Sequence, residues 1–226
     1  MNHNDIRSEA TDPMCLDPTE ARSLLIDVPW SRYAVMGDSI AEGIGDPSPG
    51  YANTPWADRV AAVMKSTQPD PAYLNTGRMG ATSAQVLDEQ LQTVLDFGPD
   101  LVHITFGAND LWMPNADTDA MARNLETAFA AVHRSGAQIS TLALADVFVG
   151  RRMQPMRERI THLNDVTRTL AARYDAILVD MWEHPLRLRP DLMSADRIHF
   201  AMTGHAVLAT EMIRALHDRA ARTVRA

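Results

Sequence analysis

Short apolar runs alternate with longer stretches of helical periodicity along most of the chain. The runs are apolar throughout rather than at every second position, which is typical of strands buried on both faces. Between them, apolar side chains recur three and four positions apart, as on one face of a helix. The pattern predicts strands at residues 33–36, 72–75, 101–106, 139–144 and 176–180, and helices at 55–65, 82–96, 119–134, within 151–173 after Pro155, and at 203–219.

This alternation predicts the α/β class, as a three-layer α/β/α sandwich. Parallel neighbours in a sheet need crossover connections, which helices on both faces supply. No repeat or linker divides residues 31–226, so we expect a single domain there in a chain of 226 residues. Residues 1–30 are polar and are predicted to be an N-terminal appendage, partly disordered or with one short helix after Asp17.

Polar and glycine residues follow the predicted strands, where ligands of such sheets usually bind. Gly37-Asp38-Ser39 follows the first strand, and residues 75–80, which end in Gly80, follow the second. Gly107-Ala108-Asn109-Asp110 follows the third, and Asp196-Arg197-Ile198-His199 comes after the fifth. A hydroxyl, glycine N–H groups, a side-chain amide and an Asp–His pair are therefore expected at one edge of the sheet.

These groups are the ones that nucleophilic acyl transfer needs. Ser39 becomes a good nucleophile when His199 takes its proton, and Asp196 can hold the imidazole in the correct tautomer. The negative charge that forms on the carbonyl oxygen needs fixed donors. We expect the backbone N–H groups of Ser39 and Gly80 and the amide of Asn109 to provide them.

The four segments together resemble the SGNH hydrolase superfamily of GDSL-type esterases and lipases. The resemblance spans residues 33 to about 210 and departs only in Ile40, where leucine is usual. It implies a flavodoxin-like five-stranded parallel sheet, a Ser39–His199–Asp196 triad and an oxyanion hole of Ser39, Gly80 and Asn109. The loop at residues 45–50 and the sequence Trp56-Ala57-Asp58-Arg59 resemble the intracellular actinobacterial branch.

Composition narrows the set of functions. The net charge of −8 argues against a nucleic-acid partner, and a single cysteine excludes a disulfide framework. Clustered metal-ligand motifs are missing, so no metal and no cofactor are expected. Neither a secretory signal nor an apolar stretch of membrane-spanning length occurs, which predicts a cytoplasmic protein without a membrane span.

Several other residues carry weaker predictions. Trp112 and Met113 follow the third segment and are candidates for the substrate pocket. His103 and His205 are predicted to be structural. Asp110 is expected to hydrogen-bond a neighbouring loop rather than to act as a catalytic acid.

Three functions share this set of residues. The first is hydrolysis of small-molecule esters with small or medium acyl groups through an acyl-enzyme on Ser39. The second is transfer of the same acyl group to an acceptor, or thioester cleavage, in a biosynthetic pathway. The third is a binding protein with a relict site. The intact Ser39, Asp196 and His199 favour the first two.

Overall fold

The computed structural model describes residues 7–113, 115–148 and 150–225. These form one parallel five-stranded sheet in the order β2-β1-β3-β4-β5. The strands are β1 (Arg32–Gly37), β2 (Ala72–Asn75), β3 (Leu101–Thr105), β4 (Gln138–Ala143) and β5 (Ile177–Asp180). This order is that of flavodoxin-like sheets, so the predicted fold class is confirmed.

Helices cover both faces of the sheet. The α-helices are α1 (Pro18–Leu25), α2 (Ser39–Glu42), α3 (Trp56–Thr67), α4 (Ser83–Glu89), α5 (Leu91–Phe97), α6 (Ala108–Leu111), α7 (Thr118–Ser135), α8 (Gln154–Arg173) and α9 (Met202–Arg225). Helices α1, α3 and α9 share one hydrophobic core with one face of the sheet. Helices α4, α5, α7 and α8 share a second core with the other face.

Strand register brings the predicted site segments to one edge. Gly37 at the end of β1 pairs with Thr105 at the end of β3, so the chain leaves both central strands at the same level. A parallel sheet places the carboxyl ends of its strands together. The segments after β1, β2 and β3 therefore meet, as predicted.

The structure differs from the predicted helix at residues 82–96, which it divides at Gln90 into α4 and α5. The Gln90 side chain is buried and bonds both backbone groups of Gly37: Oε1 accepts from the N–H at 2.8 Å, and Nε2 donates to the carbonyl at 2.8 Å. A long-range contact thus fixes Gln90 outside regular helical geometry, where periodicity gives no signal.

Residues 7–30 pack against the rest of the protein. Helix α1 begins at the N-cap Asp17 and buries Ala21 and Leu25 in the core with α3 and α9. The carboxylate of Asp12, completely buried, accepts two hydrogen bonds from Arg189 at 2.5 and 2.6 Å. Residues 1–6 lie outside the described part, and the division into an appendage and a domain stays a prediction.

Candidate active site

Ser39 begins α2 directly after β1, at a sharp strand-to-helix turn. Gly37 makes this turn possible because its φ is +148° and a Cβ there would lie 1.8 Å from the carbonyl oxygen of Thr105. Asp38 caps the helix, since its Oδ1 accepts from the N–H of Ile40 at 3.0 Å. Ser39 is thus fixed by the sheet itself and is only 7% exposed.

Asp196 and His199 lie in a separate loop between β5 and α9, residues 192–201, which we call the catalytic loop. Its two sides face each other in an antiparallel manner, with a bridge between Met193 and Phe200 and a 2.8 Å bond from the Ser194 N–H to the His199 carbonyl. The tip therefore turns back toward the sheet edge and presents both side chains there.

The three side chains form a continuous hydrogen-bonded chain. Oδ2 of Asp196 lies 2.6 Å from Nδ1 of His199, and Nε2 of His199 lies 2.7 Å from Oγ of Ser39. Because the carboxylate accepts the Nδ1 proton, Nε2 is left to accept the proton of the serine hydroxyl. This is the geometry that a general base needs to activate a serine.

The charge on Asp196 is stabilised locally. Partial burial raises its pKa, but hydrogen bonds from the Ile198 N–H, the His199 ring and the His199 N–H outweigh burial and lower the pKa to about 2. Asp196 is therefore ionised at neutral pH. It can then orient His199 and stabilise the imidazolium that forms when Ser39 loses its proton.

The predicted oxyanion donors are tied to one another and to α2. The segment after β2 packs on α2, where the Met79 N–H donates to Oε2 of Glu42 at 2.5 Å. The next residue, Gly80, has φ +77°, and a Cβ there would meet open space. Nδ2 of Asn109 donates to the Ala81 carbonyl at 3.0 Å, which links the third segment to the second and leaves its other amide hydrogen for an oxyanion.

Asp110 bonds a neighbouring element, as predicted. Its carboxylate accepts from the N–H of Ser83 at 2.8 Å and from the Ser83 hydroxyl at 2.6 Å, at the start of α4. These bonds hold α6, and with it Asn109, against the loop that carries Gly80. Asp110 is therefore a support of the site.

The second carboxylate oxygen of Asp38 is a feature that sequence reasoning did not predict. The residue is 1% exposed, and Oδ2 has no hydrogen-bond partner among the described residues. Burial, helped by the negative charge of Asp110 and opposed by the bond from the Ile40 N–H, raises the pKa of Asp38 to about 7. A neutral carboxyl group thus lies next to Ser39 over much of the acidic pH range.

An apolar cavity lies beside His199, between the ends of β4 and β5 and helix α9. Its volume is about 70 Å³, whereas a single water needs roughly 10–15 Å³. Its wall is mainly aliphatic and aromatic: Ile40, Ile44, Trp56, Leu142, Leu144, Ala145, Val147, Phe148, Met181, Ile198, Phe200 and Leu208 line it together with His199 and His205. The sequence pattern does not reveal this cavity, because the residues that line it come from distant segments of the chain.

Trp112 and Met113 lie elsewhere. They are 47% and 58% exposed and do not belong to the lining of that cavity. Arg159 holds their segment through bonds to the carbonyls of Leu111 and Met113. A role for Trp112 and Met113 in the substrate pocket stays a prediction.

The two histidines predicted to be structural are buried. His103 bonds the hydroxyls of Ser140 and Thr105 within the sheet, and burial lowers its pKa to about 3. Nδ1 of His205 accepts from the Trp56 N–H at 3.2 Å, and burial lowers the pKa of His205 to about 4. His205 has a further role that was not predicted, because it also lines the apolar cavity.

Within the ranges that the structure describes, no group of three or more His, Cys, Asp or Glu side chains is arranged to hold a metal ion. Of the helices in those ranges, none is long and apolar enough to span a membrane.

Fold and site together define an esterase of the Ser–His–Asp type. The chain belongs to the GDSL-like lipase/acylhydrolase family, whose sequence pattern matches residues 35–207. The predicted SGNH/GDSL resemblance and the predicted ester hydrolase with a triad are thereby confirmed. No curated protein sequence matches the chain.

Similar folds occur among solved structures. A lipase/acylhydrolase from Enterococcus faecalis is 26% identical, with a TM-score of 0.65 over 83% of this chain and 96% of that one. The acetylxylan esterase Axe2 from Geobacillus stearothermophilus is 21% identical, with a TM-score of 0.68 over 85% and 96%. LAE5, an α/β hydrolase from the metagenome of Lake Arreo, Spain, is 22% identical, with a TM-score of 0.67 over 82% and 94%. Axe2 variants described as catalytic mutants replace an aspartate, a serine and a histidine.

Proposed function

We propose that this chain hydrolyses carboxylic esters with small or medium acyl groups through an acyl-enzyme on Ser39. The observation that carries the proposal is the hydrogen-bonded chain from Ser39 through His199 to Asp196, with separations of 2.7 and 2.6 Å. It supports assigning the nucleophile, the general base and the orienting carboxylate to these three residues in that order.

The reaction follows from the geometry. Oγ of Ser39 attacks the ester carbonyl carbon while its proton moves to Nε2 of His199. The N–H groups of Ser39 and Gly80 and the amide of Asn109 stabilise the oxyanion. The C–O bond to the alcohol breaks as His199 returns the proton to the leaving oxygen. A water molecule, deprotonated by His199, then releases the acid and restores Ser39.

The apolar cavity supports the acyl-group assignment. It lies beside His199, its lining is almost wholly apolar, and its size suits a chain of a few carbons. A charged or strongly polar acyl group would lose its hydration there without replacement partners. We infer that the acyl chain enters this cavity and that the alcohol part stays at the exposed side of Ser39.

Hydrolysis is favoured over acyl transfer by the exposure of the catalytic loop. The side chain of Asp196 is 45% exposed and Ile198 is 55% exposed. Because Ile198 also lines the cavity beside His199, we infer that water enters through this cavity once the alcohol has left, whereas acyl transfer needs a site that excludes it. Incubation with an acyl donor and excess alcohol tests this point, because a transesterified product as the main product would favour the transferase.

Two broader inferences complete the proposal. We propose a cytoplasmic location. We also infer membership of the actinobacterial branch. Its support is the resemblance of the loop at residues 45–50 and of the Trp56-Ala57-Asp58-Arg59 sequence to that branch.

The decisive experiment is Ser39→Ala assayed with p-nitrophenyl acetate and butyrate, beside Ser23→Ala as a matched control on the exposed surface of α1. We expect Ser39→Ala to lose activity by about 10⁴-fold or more and the control to keep it. Labelling of the parent, but not of Ser39→Ala, by a fluorophosphonate is expected as well. Parent-like activity of Ser39→Ala would exclude Ser39 as nucleophile, and an unlabelled, folded parent would favour a relict site.

A second experiment tests the acyl cavity. Ala145 is buried in its wall, so Ala145→Phe should fill it. With acetate, butyrate, hexanoate and decanoate esters, the parent should prefer the shorter chains and decline at decanoate. The variant should shift toward acetate, with little loss on acetate itself. An unchanged chain-length profile would show that the acyl group binds elsewhere.

A further inference from the structure

We propose that Asp46 is a positioning residue that sets the approach of His199 to Ser39. The inference rests on the proposed function, since it concerns the alignment of the same triad. Asp46 lies in the loop that follows α2, about 150 positions before the catalytic loop in sequence. Nothing in its sequence context distinguishes it from the other acidic residues of the chain.

Asp46 contacts the catalytic loop through two atoms and the beginning of α9 through a third. Its Oδ2 accepts from the N–H of Ala195 at 2.7 Å, and its own N–H donates to Oγ of Ser194 at 2.8 Å. Its carbonyl accepts from the N–H of Met202 at 2.9 Å, at the beginning of α9. One residue thus bonds the first side of the catalytic loop and the helix that follows the loop, and one of its contacts is the residue immediately before Asp196.

The same loop is tied to the nucleophile. The N–H groups of Gly43 and Ile44 both donate to the carbonyl of Ser39 at 3.0 Å. Asp46 follows two residues after Ile44. On the other side, Ser194 bonds the His199 carbonyl through its own N–H. A short closed path therefore runs from Ser39 through Ile44, Asp46 and Ser194 to His199, and it closes at the Ser39–His199 hydrogen bond.

Close packing makes this path stiff. A Cβ at Gly45 would lie 2.2 Å from the Phe200 carbonyl oxygen and 2.8 Å from Nε2 of His205. The backbone before Asp46 is therefore pressed against the catalytic loop and α9. The Ser48 hydroxyl adds an acceptor for the N–H of Thr203 at 3.2 Å. A shift of the Asp46 loop must move residues 194–203 with it.

The side-chain bond is the one that mutation can remove. Asp46 itself is exposed, so its replacement opens no cavity, while the loss of Oδ2 frees Ala195 and the turn that carries Asp196. Displacements near 1 Å at a reacting pair can lower rates by about 10²-fold. We expect Asp46→Ala to lower kcat by roughly 10- to 100-fold with KM nearly unchanged.

Two variants separate positioning from general destabilisation. Asp46→Asn keeps an amide oxygen that can accept the Ala195 N–H, so we expect kcat close to that of the parent. Asp17→Ala is a matched control, because the exposed Asp17 likewise accepts backbone N–H groups, from Thr19 and Glu20 at 2.8 and 3.0 Å. It should lower the melting temperature without changing kcat.

A spectroscopic measurement reports the alignment directly. The proton between Nδ1 of His199 and Asp196 should give a strongly deshielded NMR resonance in the parent and in Asp46→Asn. In Asp46→Ala we expect it to shift or broaden. Ser194→Ala, which removes the acceptor of the Asp46 N–H, should change kcat in the same direction, so the inference does not depend on one variant.

The outcomes are distinct from those that test the proposed function, because every comparison is made against an active parent. Parent-like kcat and an unchanged resonance in Asp46→Ala would overturn the positioning role. Equal losses in Asp46→Ala and Asp46→Asn would also overturn it, since the acceptor would then be irrelevant. A lower melting temperature with unchanged kcat would assign Asp46 to stability alone.

Discussion

The two halves of the active site are built in different ways. Ser39 follows a central strand directly, and its neighbours Gly37 and Asp38 are bonded to β3, to α2 and to Gln90. Asp196 and His199 lie on a loop outside the sheet, and the side chain of Asp196 is 45% exposed whereas that of His199 is 11% exposed. The sheet thus fixes Ser39, while hydrogen bonds from distant segments hold the loop that carries Asp196 and His199.

This contrast separates activity from stability. A buried group at a strand end contributes to both, because its removal leaves unpaired polar atoms in the core. An exposed carboxylate in a surface loop contributes little to folding, and its removal mainly affects the chemistry. Four substitutions, ordered by the size of their expected effect on activity, test the contrast.

The largest effect is expected in the catalytic loop. Asp196→Ala leaves His199 without the acceptor that orients it, so kcat should fall by about 10⁴-fold. The melting temperature should fall only modestly, as for Asp17→Ala, because Asp196 also accepts two backbone N–H bonds but is half-exposed. Steady-state kinetics and thermal unfolding measure both quantities, with Asp191→Ala as an exposed carboxylate control in the same region. A large loss of stability in Asp196→Ala, but not in the control, would show that this loop serves stability as much as activity.

The next effect concerns the oxyanion hole. Asn109→Ala should lower kcat by about 10²–10³-fold, because a preorganised donor is lost where charge develops. The matched control is Asn124→Ala, whose amide donates to the Ser83 hydroxyl at 2.9 Å in the same neighbourhood. If kcat of Asn109→Ala stays at the parent value, Asn109 does not serve the oxyanion.

A smaller effect on activity, but a clear one on stability, is expected at Gln90. Gln90→Leu removes both hydrogen bonds to Gly37. The buried N–H of Gly37 then lacks the side-chain oxygen that accepted its hydrogen bond, so the free energy of unfolding should fall by about 1–3 kcal/mol. We expect kcat to fall by roughly tenfold as the turn before Ser39 loosens. Urea unfolding and kinetics test this, and Gln92→Leu on the exposed surface of the next helix is the control. An unchanged free energy of unfolding would show that the two hydrogen bonds between Gln90 and Gly37 do not stabilise the fold.

The difference between the two halves also explains what the sequence could predict. Strand ends are local features, so the segments at Ser39, Gly80 and Asn109 could be placed before the fold was known, and the Asp–His pair was recognised by its spacing. Gln90, Asp46 and the apolar cavity act through contacts between distant segments. Periodicity describes only which residues share a face of their own element, so it contains no information on such contacts.

The N-terminal segment gives the same lesson. Its polarity predicted an appendage, partly disordered or with one short helix, and did not indicate that α1 buries Ala21 and Leu25 or that Asp12 pairs with Arg189. A buried ion pair needs both partners in place, and only the folded chain brings together residues that lie 177 positions apart. Composition could not reveal that contact.

The smallest effect on activity at neutral pH is expected at Asp38. This residue precedes Ser39, and burial raises its pKa far above the usual range of a carboxyl group. Asp38→Asn keeps the side-chain oxygen that accepts the Ile40 N–H, so the helix cap and the position of Ser39 should persist. The variant differs from the parent mainly in lacking a titratable group. The informative quantity is therefore the pH dependence of stability.

The sign follows from proton linkage. Burial raises the pKa of Asp38 from 3.8 to about 7, so between these values the folded state binds more protons than the unfolded state. Stability contributed by this group then falls as pH rises from about 4 to about 7 and is constant above that range. The unfolding free energy of Asp38→Asn minus that of the parent should rise over this interval, and all other groups cancel in the difference. Urea titrations at several pH values measure it. A flat difference would mean that folding leaves the pKa of Asp38 near 3.8. Ser39 would then lie beside a buried negative charge over this whole pH interval.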